Sequence, residues 1–164
     1  MLLLALPNGL GAAVVRTSSS PQPIYAAFSL LKVGKLRSQR CGEYSSTFGT
    51  YTGRSSSPDP RLAGVATYVG RVSLYPGGST GVVRGTLTIR DSAGTLRMSS
   101  SVVGVITNRS AVNGLVEGTL VGPAARILAN VTMVFDEEFG FAAVRLGLES
   151  GQNSGIAYPT VKCS

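Results

Sequence analysis

The stretch VVRGTLTIRDSAGTLRMSSSVVGVIT, residues 82–107, decides how this chain folds. In its first half Val83, Leu87 and Ile89 share one parity, and Arg84, Thr86, Thr88 and Arg90 share the other. Neighbouring strand residues point to opposite faces, so this reads as a strand with one apolar and one wet side. Asp91-Ser92-Ala93-Gly94 is a four-residue hairpin turn. Beyond it Leu96, Met98, Val102 and Ile106 oppose Arg97, Ser99 and Ser101. The unit is an antiparallel hairpin with a single oily face.

The same two-residue rhythm extends in both directions. Upstream, Tyr68, Val72 and Leu74 oppose Thr67, Arg71 and Ser73. Downstream, Val112, Val116 and Leu120 oppose Asn113, Glu117 and Thr119, and Ile127, Ala129, Val131, Met133 and Phe135 oppose Arg126, Asn130, Thr132 and Asp136. Val144, Leu146 and Leu148 oppose Arg145 and Glu149. With Tyr44–Gly53 before these and Ile156–Cys163 after them, eight strands follow one another at near-even spacing, joined by short turns. Short hairpins without long crossovers predict an all-β, antiparallel up-and-down barrel over residues 43–164; a two-sheet β-sandwich is the alternative that uses the same alternation.

Composition agrees. Of 164 residues 43% are hydrophobic and 14% charged, and 21 Gly with 8 Pro interrupt helices throughout. That is one domain with a real core, too apolar for disorder. His and Trp are absent, which removes imidazole acid–base chemistry and every His-ligated metal site.

The formal charge of +7 invites a nucleic-acid partner, but its distribution argues against one. Arg16, Lys32, Lys35, Arg37 and Arg40 give residues 1–42 a charge of +5 with no acidic residue, leaving +2 for residues 43–164. Residues 1–42 therefore read as a leader or N-terminal extension, poorly structured or helical, like a secretory signal or, alternatively, an organellar transit segment. No apolar window in it is long enough for a membrane span. Cys41 and Cys163 sit at opposite ends of the predicted barrel, and their placement suits a disulfide that clamps the ends of an exported domain.

Little else carries chemistry. Asp136-Glu137-Glu138 is the one carboxylate concentration, and it reads as a solvated hairpin tip. Glu117 and the arginines Arg71, Arg84, Arg90, Arg97 and Arg145 fall on the predicted outer face, where cross-strand pairing explains them. Tyr68 is the one member of the six inward sets with an acidic proton. Asn108-Arg109-Ser110 and Asn130-Val131-Thr132 match the N-glycosylation acceptor pattern. No phosphate-binding loop, metal-ligand cluster or nucleophile–base pair is legible, so no catalytic residue, metal or cofactor is expected.

Strand number, parity and size resemble the small antiparallel barrels of the calycin type and the allene-oxide-cyclase-like and dirigent-like barrels. The resemblance covers residues 43–163 and is architectural, without the Trp-containing signatures of lipocalins or avidins. It implies an apolar interior with a few polar guides at one mouth. The expected function is that of a secreted or surface-exposed, non-enzymatic small β-barrel that binds an apolar small molecule or serves as a structural or interaction module. Tyr68, Val72, Leu87, Met98, Val116, Met133 and Phe135 are the expected ligand-facing set. The alternatives are a cyclase-type enzyme with a shaped apolar cavity reached by Tyr68 or Glu117, and a polyanion binder using the outer arginines.

Overall fold

A computed structural model describes residues 24–107, 111–122, 125–136 and 141–147, together with Cys163. Eight strands run in chain order: β1 (Ala26–Cys41), β2 (Tyr44–Ser56), β3 (Gly64–Leu74), β4 (Gly81–Arg90), β5 (Leu96–Ile106), β6 (Ala111–Leu120), β7 (Ala125–Asp136) and β8 (Phe141–Gly147). Each pairs antiparallel with its sequence neighbour, and β8 returns to β1 through Ala26↔Leu146 to Leu31↔Phe141. The sheet is an up-and-down barrel, not a sandwich.

The strand set differs from expectation at both ends. Residues 26–41, expected to belong to an N-terminal extension, form the first strand of the wall, so the barrel begins at Ala26. Ala26, Phe28 and Leu30 are buried while Ala27, Ser29 and Leu31 are exposed, which is ordinary strand alternation. Because Ala27 and Leu31 are apolar as well, the alternation is invisible in composition and mimics a targeting segment. The expected strand Ile156–Cys163 lies outside the described residues except for Cys163, as do residues 1–23.

Gly34 breaks β1. Its φ of +75° is in the left-handed region that only glycine enters cheaply, and the register with β2 shifts between Val33 and Arg37. Past this bulge Leu36 packs against the core, close over Gly49 of β2.

An eight-stranded barrel has a lumen just wide enough for side chains to fill. The inward residues form one contiguous cluster spanning β1 to β7, including Leu30, Tyr51, Tyr68, Leu87, Met98, Val116 and Met133. Leu87, Met98, Val116 and Met133 are each 0% exposed and Tyr68 is 1% exposed. A void wide enough for a water molecule would leave accessible area on the side chains around it. These side chains have essentially none, so they are packed against one another.

Room for the largest of them is made by glycine. Gly49, Gly70 and Gly85 stand in register across β2, β3 and β4 on the inward face. The Tyr68 ring lies over this row: a methyl group on Gly85 would sit 2.5 Å from Tyr68 Cε2, and one on Gly70 would collide with the phenol oxygen. Tyr51 follows, with its ring centroid 6.2 Å from that of Tyr68. Two bulky aromatics fit in a narrow barrel because the wall beneath them has no side chains.

Part of the outer face is also buried. Ser46, Ser73 and Val82 are adjacent in register on β2, β3 and β4, with the opposite parity to Tyr51, Tyr68 and Leu87, yet each is at most 5% exposed. Ser46 Oγ and Ser73 Oγ are hydrogen-bonded at 2.7 Å. Cys163 lies over them, bonded to Cys41 in a disulfide, with its Sγ 3.9 Å from Ser46 Oγ and 2.6 Å from Arg71 Nη1. The bridge spans 122 positions of sequence, and confining a loop of that length removes about 5 kcal/mol of chain entropy from the unfolded state.

Reduction is therefore expected to lower the free energy of unfolding by about 4–5 kcal/mol. Guanidinium titrations with and without reductant measure it, and coincident midpoints would refute it. Gly85→Ala is expected to destabilise by about 1–3 kcal/mol through overpacking. Its cost should shrink in a Tyr68→Leu background, whereas strictly additive costs would show that the ring does not press on Gly85.

Candidate functional site

The expected ligand-facing set is brought together by the barrel. Tyr68, Leu87, Met98, Val116 and Met133 are inward and fully buried, and Val72 is half-buried and packed against them. The side chain of Phe135, at the end of β7, lies outside the described residues. What the structure adds is that the described members pack into a core.

Tyr68 is the largest fully buried side chain of this set. Burial, aided by the neighbouring Tyr51 phenol, drives its pKa well above the ordinary tyrosine value. A phenolate would lose its hydration there, so the group stays neutral at physiological pH. It is a poor candidate for proton transfer.

Open space lies instead at one end of the barrel. The β1–β2 turn and the β3–β4 turn rise side by side there and enclose a cleft of about 620 Å³. Ser38, Gln39, Arg40, Glu43 and Ser45 line one side, and Leu74, Tyr75, Pro76, Gly77 and Gly78 the other. β2 and β3 set this geometry: Ser45 pairs directly with Leu74, so each turn begins where the other strand ends. The β3–β4 turn is closed by Gly78 N donating to the Tyr75 carbonyl and by Tyr75 N donating to the Thr80 carbonyl.

The cleft combines different chemistries. Tyr75 is 46% exposed and meets Tyr44 edge-to-face at 5.4 Å between centroids. The Glu43 charge, reinforced by a side-chain hydrogen bond, raises the Tyr75 pKa. The phenol thus donates toward the carboxylate and leaves its ring as an exposed wall. Arg40 donates through Nε to the Gly42 carbonyl at 3.3 Å and remains exposed. An aromatic face, a guanidinium, a carboxylate and an amide from Gln39 converge on one open space. Such a surface suits recognition by contact area and hydrogen bonding.

Glu117 is exposed on the outer face of β6, away from the core. Of the outer arginines, Arg71 reaches Cys163, Arg90 Nη1 donates to the Gly94 carbonyl at 2.8 Å, and Arg97 pairs with Asp91 at 2.8 Å. Local partners therefore hold Arg71, Arg90 and Arg97. Arg84 is exposed, and the Arg145 side chain lies outside the described residues. Asp136 ends β7, and Glu137 and Glu138 lie outside the described residues. Among the described residues no three His, Cys, Asp or Glu side chains group as a metal site would require, and no helix is long and apolar enough to cross a membrane.

The chain matches no family model, no curated protein and no solved structure. Of the resemblance, the structure shows the all-antiparallel, barrel-like sheet.

The cleft was not foreseen. Its residues come from two turns about thirty positions apart, and Arg40 falls in the stretch read as an extension. The signal that could have found it is the pairing of two glycine-containing turns, Cys41-Gly42-Glu43 and Pro76-Gly77-Gly78, at the same end of consecutive hairpins.

The buried phenol makes a pH prediction. A tyrosine whose folded pKa lies above its unfolded value of about 10 stabilises the fold fully below pH 10, and that contribution is lost as pH climbs beyond it. Unfolding free energy is expected to fall above about pH 10, and to fall less steeply in Tyr68→Phe. Denaturant titrations from pH 7 to 11 compare the two, and equal slopes would contradict the placement of Tyr68.

Proposed function

We propose that the protein is a non-enzymatic β-barrel of the extracellular or cell-surface space, acting as an interaction module. Its filled lumen holds two hairpin turns rigidly apart, and the cleft between them is the contact site. The observation that carries this reading is the contrast between the described lumen side chains around Tyr68, which are almost wholly buried, and an open cleft of about 620 Å³.

Packing favours this branch over an apolar ligand in the lumen. A ligand pocket of even ~300 Å³ would require displacing several of the buried side chains around Tyr68. The same consideration weighs against cyclase-type catalysis, which needs a shaped cavity around its substrate. The local partners of Arg71, Arg90 and Arg97 weigh against a continuous polyanion-binding wall. The Cys41–Cys163 bridge supports the location, since such bonds persist in oxidising compartments.

Two measurements test the reading. Native mass spectrometry after incubation with a mixed lipid and terpenoid extract is expected to return the bare chain, and a retained apolar ligand would overturn the filled-lumen premise. Glycan and peptide arrays probed with the oxidised full chain are expected to show binding that Tyr75→Ala with Arg40→Ala weakens by at least about tenfold, equivalent to 1.4 kcal/mol. Thermal unfolding of the variant should be unchanged. Absence of binding, or binding indifferent to both substitutions, removes the cleft as the contact site.

A further inference from the structure

The outer wall formed by β6 and β7 carries a feature unrelated to the cleft. Leu128 is 72% exposed, Leu115 54% and Val134 46%, and all three share one face of these two paired strands. Asn130 stands among them: it is exposed, directly opposite Leu115 in the register, and on the same side of β7 as Leu128 and Val134. Directly opposed residues have Cβ atoms about 4.5–5.5 Å apart, and alternate residues along a strand are about 6.6–6.8 Å apart. The amide of Asn130 is thus within a side chain's reach of the most exposed apolar surface on the β6–β7 wall.

Asn130 also opens the acceptor triplet Asn130-Val131-Thr132. Strand alternation sorts the three residues usefully. Val131 turns inward and is 1% exposed, filling the core, while Asn130 and Thr132 both face out. Thr132 Oγ1 reaches Asn113 Oδ1 on the outer face of β6 at 3.5 Å, which places the hydroxyl on that face. A group added to Asn130 therefore meets solvent and disturbs no packed side chain. The other acceptor triplet, Asn108-Arg109-Ser110, lies outside the described residues.

We infer that Asn130 is an N-glycosylation site and that its glycan covers the apolar stripe of Leu115, Leu128 and Val134. Exposed apolar side chains invite association, and a hydrated oligosaccharide rooted beside Leu115 and Leu128 blocks approach sterically. The inference rests on the exported location proposed above. The donor is an oligosaccharide linked to a polyprenyl diphosphate: the sugar C1–O bond to the diphosphate breaks as a C1–Nδ2 bond forms. The Nδ2 proton passes to a base of the transferase, and polyprenyl diphosphate leaves.

The test uses the full chain behind a cleavable secretion signal in cultured eukaryotic cells, with Asn108→Gln so that this one acceptor triplet remains. Intact and peptide masses are read with and without peptide:N-glycosidase, on whichever pool, medium or cells, holds the chain. The expected result is a glycan on Asn130, removed by the enzyme with conversion of Asn130 to aspartate. It is expected to be absent from Asn130→Gln and from Thr132→Ala and kept in Thr132→Ser. An oxidised chain with Asn130 unmodified overturns the inference and leaves the exported reading standing. A glycosylated chain in which Cys41–Cys163 fails to form supports the inference and counts against that reading. For the covering role, the native glycoprotein is deglycosylated enzymatically and followed by hydrophobic-dye fluorescence and sedimentation. Rising dye binding and self-association are expected, and unchanged behaviour overturns that role.

Discussion

The seating of the Tyr68 ring over Gly70 and Gly85 is the contact on which the rest of this barrel depends. A closed sheet of eight strands encloses little volume, and a tyrosine ring is among the largest objects that can be placed in it. It fits because three adjacent strands present bare backbone at the same level. Once the ring is seated, Tyr51, Leu87 and Met98 have fixed neighbours, and the strands cannot slip in register. A shift of one residue would place Thr67 or Val69 in the lumen and the phenol in water. Register, closure and the dry interior are one constraint seen from three sides.

A filled interior moves the interesting chemistry to the ends. The two turns that flank the cleft rise from strands braced from within, so Tyr75 and Arg40 are held in place without a large interface of their own. The exposed tyrosine at that mouth and Arg40 beside it are of the residue types that contact surfaces favour. By contrast, the lumen holds the Tyr68 phenol almost wholly away from solvent.

Much of the architecture was legible because antiparallel strands covered on one face write their orientation directly into alternating polarity. Strands β3 to β7 follow that rule, and their inward sets were readable residue by residue. β1 was not, since Ala27 and Leu31 are apolar on the solvent side and erase the contrast with Phe28 and Leu30. The burial of Ser46, Ser73 and Val82 on the outer face was equally hidden, because alternation only distinguishes lumen from exterior and is silent about what lies against the exterior. The disulfide was suggested by the placement of two cysteines at opposite ends of the domain, whereas the cleft needed the three-dimensional adjacency of two hairpins.

The bond between Cys41 and Cys163 makes the polypeptide between them a covalent ring. One cut by a protease in any connecting turn, for example at residues 57–63 or 91–95, opens that ring without releasing a fragment. Both pieces stay tethered, and the remaining ladders hold them in place. For a molecule exposed to digestive surroundings, a nicked copy would keep its shape, and it would take a second cleavage or loss of the bridge to dismantle it.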